Sequence, residues 1–182
     1  MAFEVPVVRA YGPDAAIDRE EQVWDCYRQV FDDFVDFQRW REDLFERQVG
    51  RSGYRLVTAE RPAEVVGFSW GYVGQRGQYW TDRVWNALPS DVRDEWVGDH
   101  YEIVSLGVIP AHRHRGLGRQ LHDELLSDVQ RRCLLGTADD LADPAVRLYL
   151  SSGWAKLGNL QPGVQIMGLN TVDPKPKPHP KI

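Results

Sequence analysis

Arginine, glycine and histidine crowd into one short stretch, Arg113-His114-Arg115-Gly116-Leu117-Gly118-Arg119, of a chain whose formal net charge is −5. Before it runs Ile103-Val104-Ser105-Leu106-Gly107-Val108-Ile109, rich in β-branched residues and long enough for a buried strand. After it, Leu117, Leu121, Leu125 and Val129 recur every four residues, with Leu126 beside them, as the apolar stripe of a helix reaching about residue 132. A basic, glycine-rich hinge between strand and helix is an anion cradle. The first N–H groups of a helix have no internal partner, and the helix dipole adds positive character there. Glycines let the backbone approach the anion, and guanidinium groups add charge. The predicted ligand carries phosphates, with a pyrophosphate favoured. A basic turn that binds nothing is the plain alternative. The dinucleotide pattern G-x-G-x-x-G is incomplete, and no Gly-Lys-Ser/Thr of a P-loop follows.

Composition narrows the partners. The 182 residues suffice for one domain with a real core, and 42% hydrophobic with 27% charged residues is ordinary for a globular protein. A general nucleic-acid binder would be basic overall, so no nucleic-acid partner is expected. The start shows no basic region followed by an apolar run, and no apolar stretch approaches a membrane span; a cytoplasmic protein without a membrane partner is the expectation. Cys26 and Cys133 form no C-x-x-C pair and read as buried small residues.

The elements that must position the cradle follow from pattern. Residues 3–9 read as a first strand, with Pro6 suggesting an edge, and 11–14 as a turn. Helices are expected over 16–31 and 37–49, interrupted by Asp32, Asp33 and Asp36 and closed by Gly50-Arg51-Ser52-Gly53. Residues 54–60 and 65–73 form a hairpin, in which Gly67 and Gly71 mark a bulge or a close backbone approach. Residues 74–99 carry Tyr79, Trp80, Trp85 and Trp96 and predict one or two short helices, with Thr81 and Ser90 as N-caps. This insertion is either a lid on a binding site or a cover for the sheet edge or an oligomer interface. A strand over 101–109, the cradle and its helix follow. Next come a strand at 133–137 and a helix capped by Asp143 with Pro144 at its first position. Strands at 154–160 and 164–169 flank a turn. The proline-alternating tail, 173–182, reads as an extended appendage to a domain spanning 1–172. The order indicates an α/β domain with a mixed sheet flanked by helices.

Arg113-x-x-Gly116-x-Gly118, after a strand ending Val108-x-Pro110, resembles the acetyl-CoA signature R/Q-x-x-G-x-G/A of the GNAT N-acetyltransferases. A second stretch, Ala145 to Trp154, resembles that family's A-x-x-L-Y-x-x-x-G-F, with Trp154 in place of Phe. The order of elements over about 3–170 is similar too. The resemblance implies a GNAT fold with splayed central strands and acetyl-CoA as acyl donor. It implies pyrophosphate contacts from Arg113, His114, Arg115, Gly116, Leu117, Gly118 and Arg119. It also implies main-chain contacts to the pantetheine arm from Leu106, Gly107 and Val108, Gly107 suiting a distorted strand. Tyr149, in the motif's tyrosine position, is implied as the acid that protonates the leaving thiolate and as a CoA contact. Glu102, 11 residues before Arg113, has the offset of the catalytic glutamate in the histone-acetylating branch. Partial burial at the head of an apolar strand would raise its pKa toward a useful range. His100 is the next candidate base, and a water chain serves in many relatives. Asp143 stands where the family often has an Asn that touches CoA; it can still cap a helix but has no amide donor. No metal is expected, since His112-x-His114 lacks further ligands nearby.

The acceptor enters such proteins between the first helices and the central strands. Here that region holds Asp32, Asp33, Asp36, Trp40 and the aromatic insertion, a combination suited to an organic cation. The expected reaction is acetyl transfer to the primary amine of a small molecule by direct attack on the thioester. Acetylation of a protein lysine or N-terminus is the enzymatic alternative, and an acyl-CoA sensor without transfer activity the non-enzymatic one. A homodimer is the default assembly.

Overall fold

The computed structural model describes residues 5–172; the expected tail at 173–182 lies outside them. Seven strands form one sheet: β1 (Val7–Tyr11), β2 (Arg55–Arg61), β3 (Glu64–Gly74), β4 (His100–Val108), β5 (Arg132–Ala138), β6 (Ala155–Gln161) and β7 (Val164–Asn170). Their order is β1-β2-β3-β4-β5-β7-β6. Only β4 and β5 run parallel. This is the expected mixed α/β sheet.

The first strand lies later than its pattern suggests. Tyr11, read as a turn residue, pairs with Leu56 and closes β1, and its hydroxyl donates to Glu60 at 2.6 Å. The helix expected over 16–31 is two short ones, α1 (Pro13–Ile17) and α2 (Glu20–Tyr27), because Arg19 leaves the helical region at φ −113°, ψ 3°. The next helix matches its expected range but is not uniform. α3 (Phe37–Trp40) passes through a π-helical turn (Arg41–Phe45) into α4 (Glu46–Val49). Asp36 caps it by accepting from the Arg39 N–H at 2.9 Å. In the aromatic insertion, α5 (Tyr79–Ala87) and α6 (Ser90–Trp96) start one or more residues away from the expected caps. Gln78 and Pro89 hold the cap positions, and Thr81 is buried. α7 (Leu117–Leu126) ends before Val129, which still packs on the core from the following turn. α8 (Pro144–Ser151) begins as predicted, with the Asp143 carboxylate accepting from the Ala145 N–H at 2.7 Å.

Two faces of the sheet are covered differently. α7 lays Leu117, Leu121 and Leu125 across β1 to β4, and Ser69 donates to the Leu121 carbonyl at 3.1 Å. The opposite face of β3 carries Phe68, Trp70 and Tyr72. Tyr27 of α2 stacks on Phe68 at 5.6 Å between ring centroids, Trp40 packs on Tyr27 at 5.7 Å, and Phe45 on Trp40 at 5.0 Å. This aromatic column fixes the π turn over the sheet. α5 and α6 cover the other half. Val84, Leu88 and Val97 form a second core with Leu134 and Ile166, and Trp80, Trp85 and Trp96 pack around it.

The two halves meet at β4 and β5, paired only at Tyr101↔Cys133 and Glu102↔Leu134. Beyond that point β5 continues with β7 and β4 with β3. The expected splay is therefore present. Its strand distortion is at Val104 rather than at Gly107. The β3–β4 register shifts so that Trp70 opposes Ser105 while Gly71 opposes Ile103, leaving Val104 as the extra residue of a bulge. Gly107 pairs regularly with Phe68; it is glycine because a Cβ would lie 2.8 Å from that ring and 2.9 Å from Val30.

Gly71 sits at the bulge, where a Cβ would fall 2.3 Å from the Glu102 carbonyl oxygen. Backbone cannot yield as a side chain does. Gly71→Ala should therefore destabilise the fold by at least about 1–3 kcal/mol, read as a lower urea midpoint.

Candidate active site

The bulge decides which side chains of β4 share a face. Cross-strand partners lie on the same side of a sheet. Tyr72, Trp70 and Phe68 oppose Glu102, Ser105 and Gly107, while Gly71, Ser69 and Gly67 oppose Ile103, Leu106 and Val108. Glu102 thus faces the α3–α4 side, and Leu106 and Val108 face α7. The backbone alternates as well. Ile109 N–H donates to the Val66 carbonyl at 3.0 Å, so the Gly107 N–H also turns to β3 and those of Leu106 and Val108 turn to the splay. Two donors on an unpaired strand edge can meet an extended amide-bearing ligand as a neighbouring strand would, or a carbonyl oxygen.

At the end of β4 a 3-10 turn (Pro110–His112) leads into the basic hinge. His114 (φ 60°) and Gly116 (φ 77°) are left-handed, and Gly116 occupies the N-cap of α7 with no side-chain cap. A side chain there would strain the backbone. The N–H groups of the first turn, from Leu117, Gly118 and Arg119, accordingly point out of the helix end. The arginines also hold the loop. Arg113 Nε donates to the Val108 carbonyl at 2.9 Å, and Arg119 donates to the hydroxyls of Ser151 and Ser152 at 2.5 and 3.0 Å, tying α7 to α8. Leu117 is buried in the core. Leu148 lies 3.6 Å and Leu106 3.9 Å from the place of a Gly118 Cβ, so the hinge, the splay edge and α8 converge. An anionic group at the helix end with an arm running into the splay fits these donors.

Glu102 is 4% exposed. One oxygen accepts from the Tyr72 hydroxyl at 3.1 Å; the other is buried without a hydrogen-bond partner. Burial raises its pKa from the ordinary 4.5 to about 7, opposed by the Tyr72 hydrogen bond and the charge of Arg51. It opens into a cavity of about 340 Å³ walled by Asp43, Leu44 and Arg47 of the π turn and α4, by Arg51, and by Tyr79 and Trp80 of α5. Ile103 and Val104 of β4 and Gly136 of β5 also line it, so the cavity reaches the splay. His100 is not among its walls. Its Nδ1 accepts from the Gly98 N–H at 3.1 Å, which places the ring proton on Nε2, and burial lowers its pKa to about 4.

Tyr149 is buried on α8, and burial, with Asp143 adding to it, pushes its phenol well above the ordinary 10. Its ring lies 5.8 Å from Trp154 and 6.3 Å from His122. The Trp154 indole donates to His122 Nε2 at 2.9 Å, and Nδ1 meets Asp123 at 2.7 Å, so the imidazole proton sits on Nδ1. The departure from the motif's Phe thus has a partner on α7: an indole N–H requires an acceptor, and His122 supplies it.

The acidic region behaves otherwise than its composition suggests. Asp36 is a helix cap, Asp33 accepts from the Tyr27 hydroxyl at 2.9 Å, and Trp40 is fully buried in the aromatic column. The cavity beside Glu102 is lined by Arg47, Arg51 and Tyr72 instead, none of which the sequence singled out. Arg51 reads in sequence only as part of a helix stop, and Tyr72 only as a strand residue. In the insertion, α5 and α6 pack on the sheet through Val84, Leu88 and Val97, and Tyr79 and Trp80 of the first turn of α5 line the cavity. Among the described residues no cluster of three His, Cys, Asp or Glu could hold a metal, and no helix is long and apolar enough to cross a membrane.

Comparison with known proteins places this geometry. The model of the acetyltransferase (GNAT) family matches residues 20–154. No curated protein matches by sequence. Among solved structures, an acetyltransferase from Thermus thermophilus is 13% identical, covering 93% of this chain and 99% of its own, with a TM-score of 0.64. The ribosomal-protein-S18-alanine N-acetyltransferase of Escherichia coli is 14% identical, covering 94% and 97%, at 0.63. Arabidopsis thaliana NAA60 in complex with acetyl-CoA is 17% identical, covering 90% and 97%, at 0.59. These likenesses are of fold.

Two outcomes test the geometry without an assay. Trp154→Phe leaves a buried imidazole nitrogen unpaired and should cost about 1–3 kcal/mol, part of which Trp154→Phe with His122→Leu recovers; urea denaturation of both reads this. The raised pKa of Glu102 means that the folded state holds a proton which the unfolded state releases. Stability should therefore fall as pH rises from 4.5 to about 7 and then level. Glu102→Gln should lack that decline in melting temperature.

Proposed function

The chain belongs to the acetyltransferase (GNAT) family, and from that premise we propose that it acetylates the primary amine of a small molecule, with Glu102 as base and Tyr149 as acid. Acetyl-CoA is the family's donor and supplies the acetyl group already activated as a thioester. The observation that carries the reading is Glu102: a proton-retaining carboxyl with one unpartnered oxygen, in a half-open cavity that reaches the splay.

An amine attacks only as the free base. With a pKa near 7, Glu102 can take the ammonium proton at neutral pH and still be a carboxylate in a useful fraction of molecules. The N–H groups of Leu106 and Val108, fixed by the strand before any ligand arrives, donate to the thioester carbonyl oxygen as negative charge builds there. Gly107 adds to that edge by letting β4 lie close under Phe68. Tyr149 stays protonated at neutral pH and gives its proton to the departing thiolate. The outward N–H groups of Gly116 to Arg119, with the charge of Arg113 and Arg115 and the His114 ring beside them, hold the pyrophosphate. Asp143 acts by capping α8, which carries Tyr149.

The cavity supports a small acceptor. Its volume of about 340 Å³ lies at the lower end for small-molecule sites, and Tyr79 and Trp80 add aromatic walls to it.

A thermal-shift titration followed by turnover tests this. Acetyl-CoA and CoA should stabilise the protein and ATP should not. Small amines should be acetylated in preference to lysine peptides. Glu102→Gln and Tyr149→Phe should each lower kcat about 100-fold or more, and Glu102→Gln should also lose the rise in rate as pH passes 7. Unchanged kcat in Tyr149→Phe would remove its role as acid, and turnover of peptides alone would replace the small-molecule reading.

A further inference from the structure

We propose that the acceptor is a small amine that also carries a carboxylate, and that Arg51 is the residue that selects it. The inference rests on the acceptor cavity assigned above and adds the chemistry of the far end of the substrate.

The charged groups of the cavity are Asp43, Arg47, Arg51 and Glu102. Two of them neutralise each other: Arg47 pairs with Asp43 at 3.2 Å and donates to the Glu42 carbonyl at 3.2 Å. Arg51 is different. Its guanidinium lies over the Tyr72 ring, 4.5 Å from the centroid, and among the described residues no carboxylate lies within ion-pair distance of it. The Tyr72 hydroxyl donates to Glu102 at 3.1 Å, and the second Glu102 oxygen is buried and unpartnered. Arg51, Tyr72 and Glu102 thus form one line along the cavity wall, with a cation at one end, a carboxyl at the other and a phenol between. Arg51 makes no direct ion pair among the described residues, and the carboxyl its charge acts on, Glu102, holds its proton up to about pH 7, so the guanidinium presents its charge to the cavity.

A ligand complementary to that line has an amine at the Glu102 end and an anion at the Arg51 end. A carboxylate meets the planar guanidinium through two parallel hydrogen bonds. A diamine would place its second charge against Arg51 instead. The organic cation expected from Asp32, Asp33 and Asp36 therefore does not suit this cavity: Asp33 and Asp36 are engaged at Tyr27 and in the cap of α3, and the cavity holds two arginines.

The test uses the full chain and matched probes: short amino acids with terminal amines, the same compounds as carboxamides, and diamines of equal length. Affinity is measured by calorimetry in the CoA complex, where no transfer can occur, and kcat/KM separately with acetyl-CoA. The carboxylated amines should bind and react about 10- to 100-fold better than their carboxamides. Arg51→Gln should bring that ratio toward one through KM, and Arg51→Lys should restore part of it. Equal affinity for acid and carboxamide, preference for diamines, or an unchanged ratio in Arg51→Gln would overturn the inference. Selective binding without turnover of any amine would uphold it and remove the catalytic reading; turnover without selectivity would do the reverse.

Discussion

One extra residue in β4 sets the terms for everything around it. Val104 bulges between two regular stretches, and the alternation of side chains changes parity across it. Without the bulge, Glu102 would share a face with Leu106 and Val108 and would point at α7. With it, the carboxyl stands beside Tyr72 on the opposite face, while the N–H groups of Leu106 and Val108 keep their aim into the splay. Glu102 thus stands on one face of β4 while the two N–H groups point along the sheet into the splay. Gly71 makes this feasible, since any side chain there would meet the Glu102 carbonyl.

The splay is stable because neither strand needs the other. β4 is paired with β3 from His100 to Val108, and β5 with β7 from Arg132 to Ala138. The aromatic column and α7 belong to a core that continues across the splay to Leu135 of β5 and Met167 of β7, and α5 and α6 form a second core with Leu134 and Ile166. The two parallel pairs at 101–102 act as the hinge of a V, and α7, latched to α8 by Arg119, crosses behind it. A cleft held open within one sheet, each of its strands paired on the outer side, costs little to keep ready for a ligand that supplies the missing strand contacts.

Burial is used in opposite ways at the two titratable residues of the proposed mechanism. Glu102 lacks a full set of partners, and its desolvation moves the carboxyl to where it exchanges protons near neutrality. Tyr149 is desolvated too, and there the effect is to keep the phenol protonated. The same physical cause thus brings the Glu102 carboxyl into the neutral range and holds the Tyr149 phenol in its protonated form. Around Tyr149 the polar neighbours are satisfied: Trp154, His122 and Asp123 form a closed chain of hydrogen bonds. At Glu102 the site stays partly unsatisfied on the side that faces the cavity.

Much of this was written locally in the chain. The leucine stripe of α7, the Asp143-Pro144 start of α8, the hairpin turn and the basic glycine hinge are signals contained within about fifteen residues, and each depends on backbone preferences that the neighbours alone set. Glu102 and Tyr149 could be named only through the resemblance of those stretches to the GNAT motifs. The sequence could not show that Trp154 answers to His122, that Arg51 leaves a helix stop to stand over Tyr72, or that Asp33 and Asp36 are engaged elsewhere. These are contacts between residues far apart in the chain, or choices among hydrogen-bond partners made only once the sheet has formed. Above all, the face on which Glu102 lies depends on a bulge, and a bulge is a relation between two strands rather than a property of either. Local preference determined the elements; pairing decided what they point at.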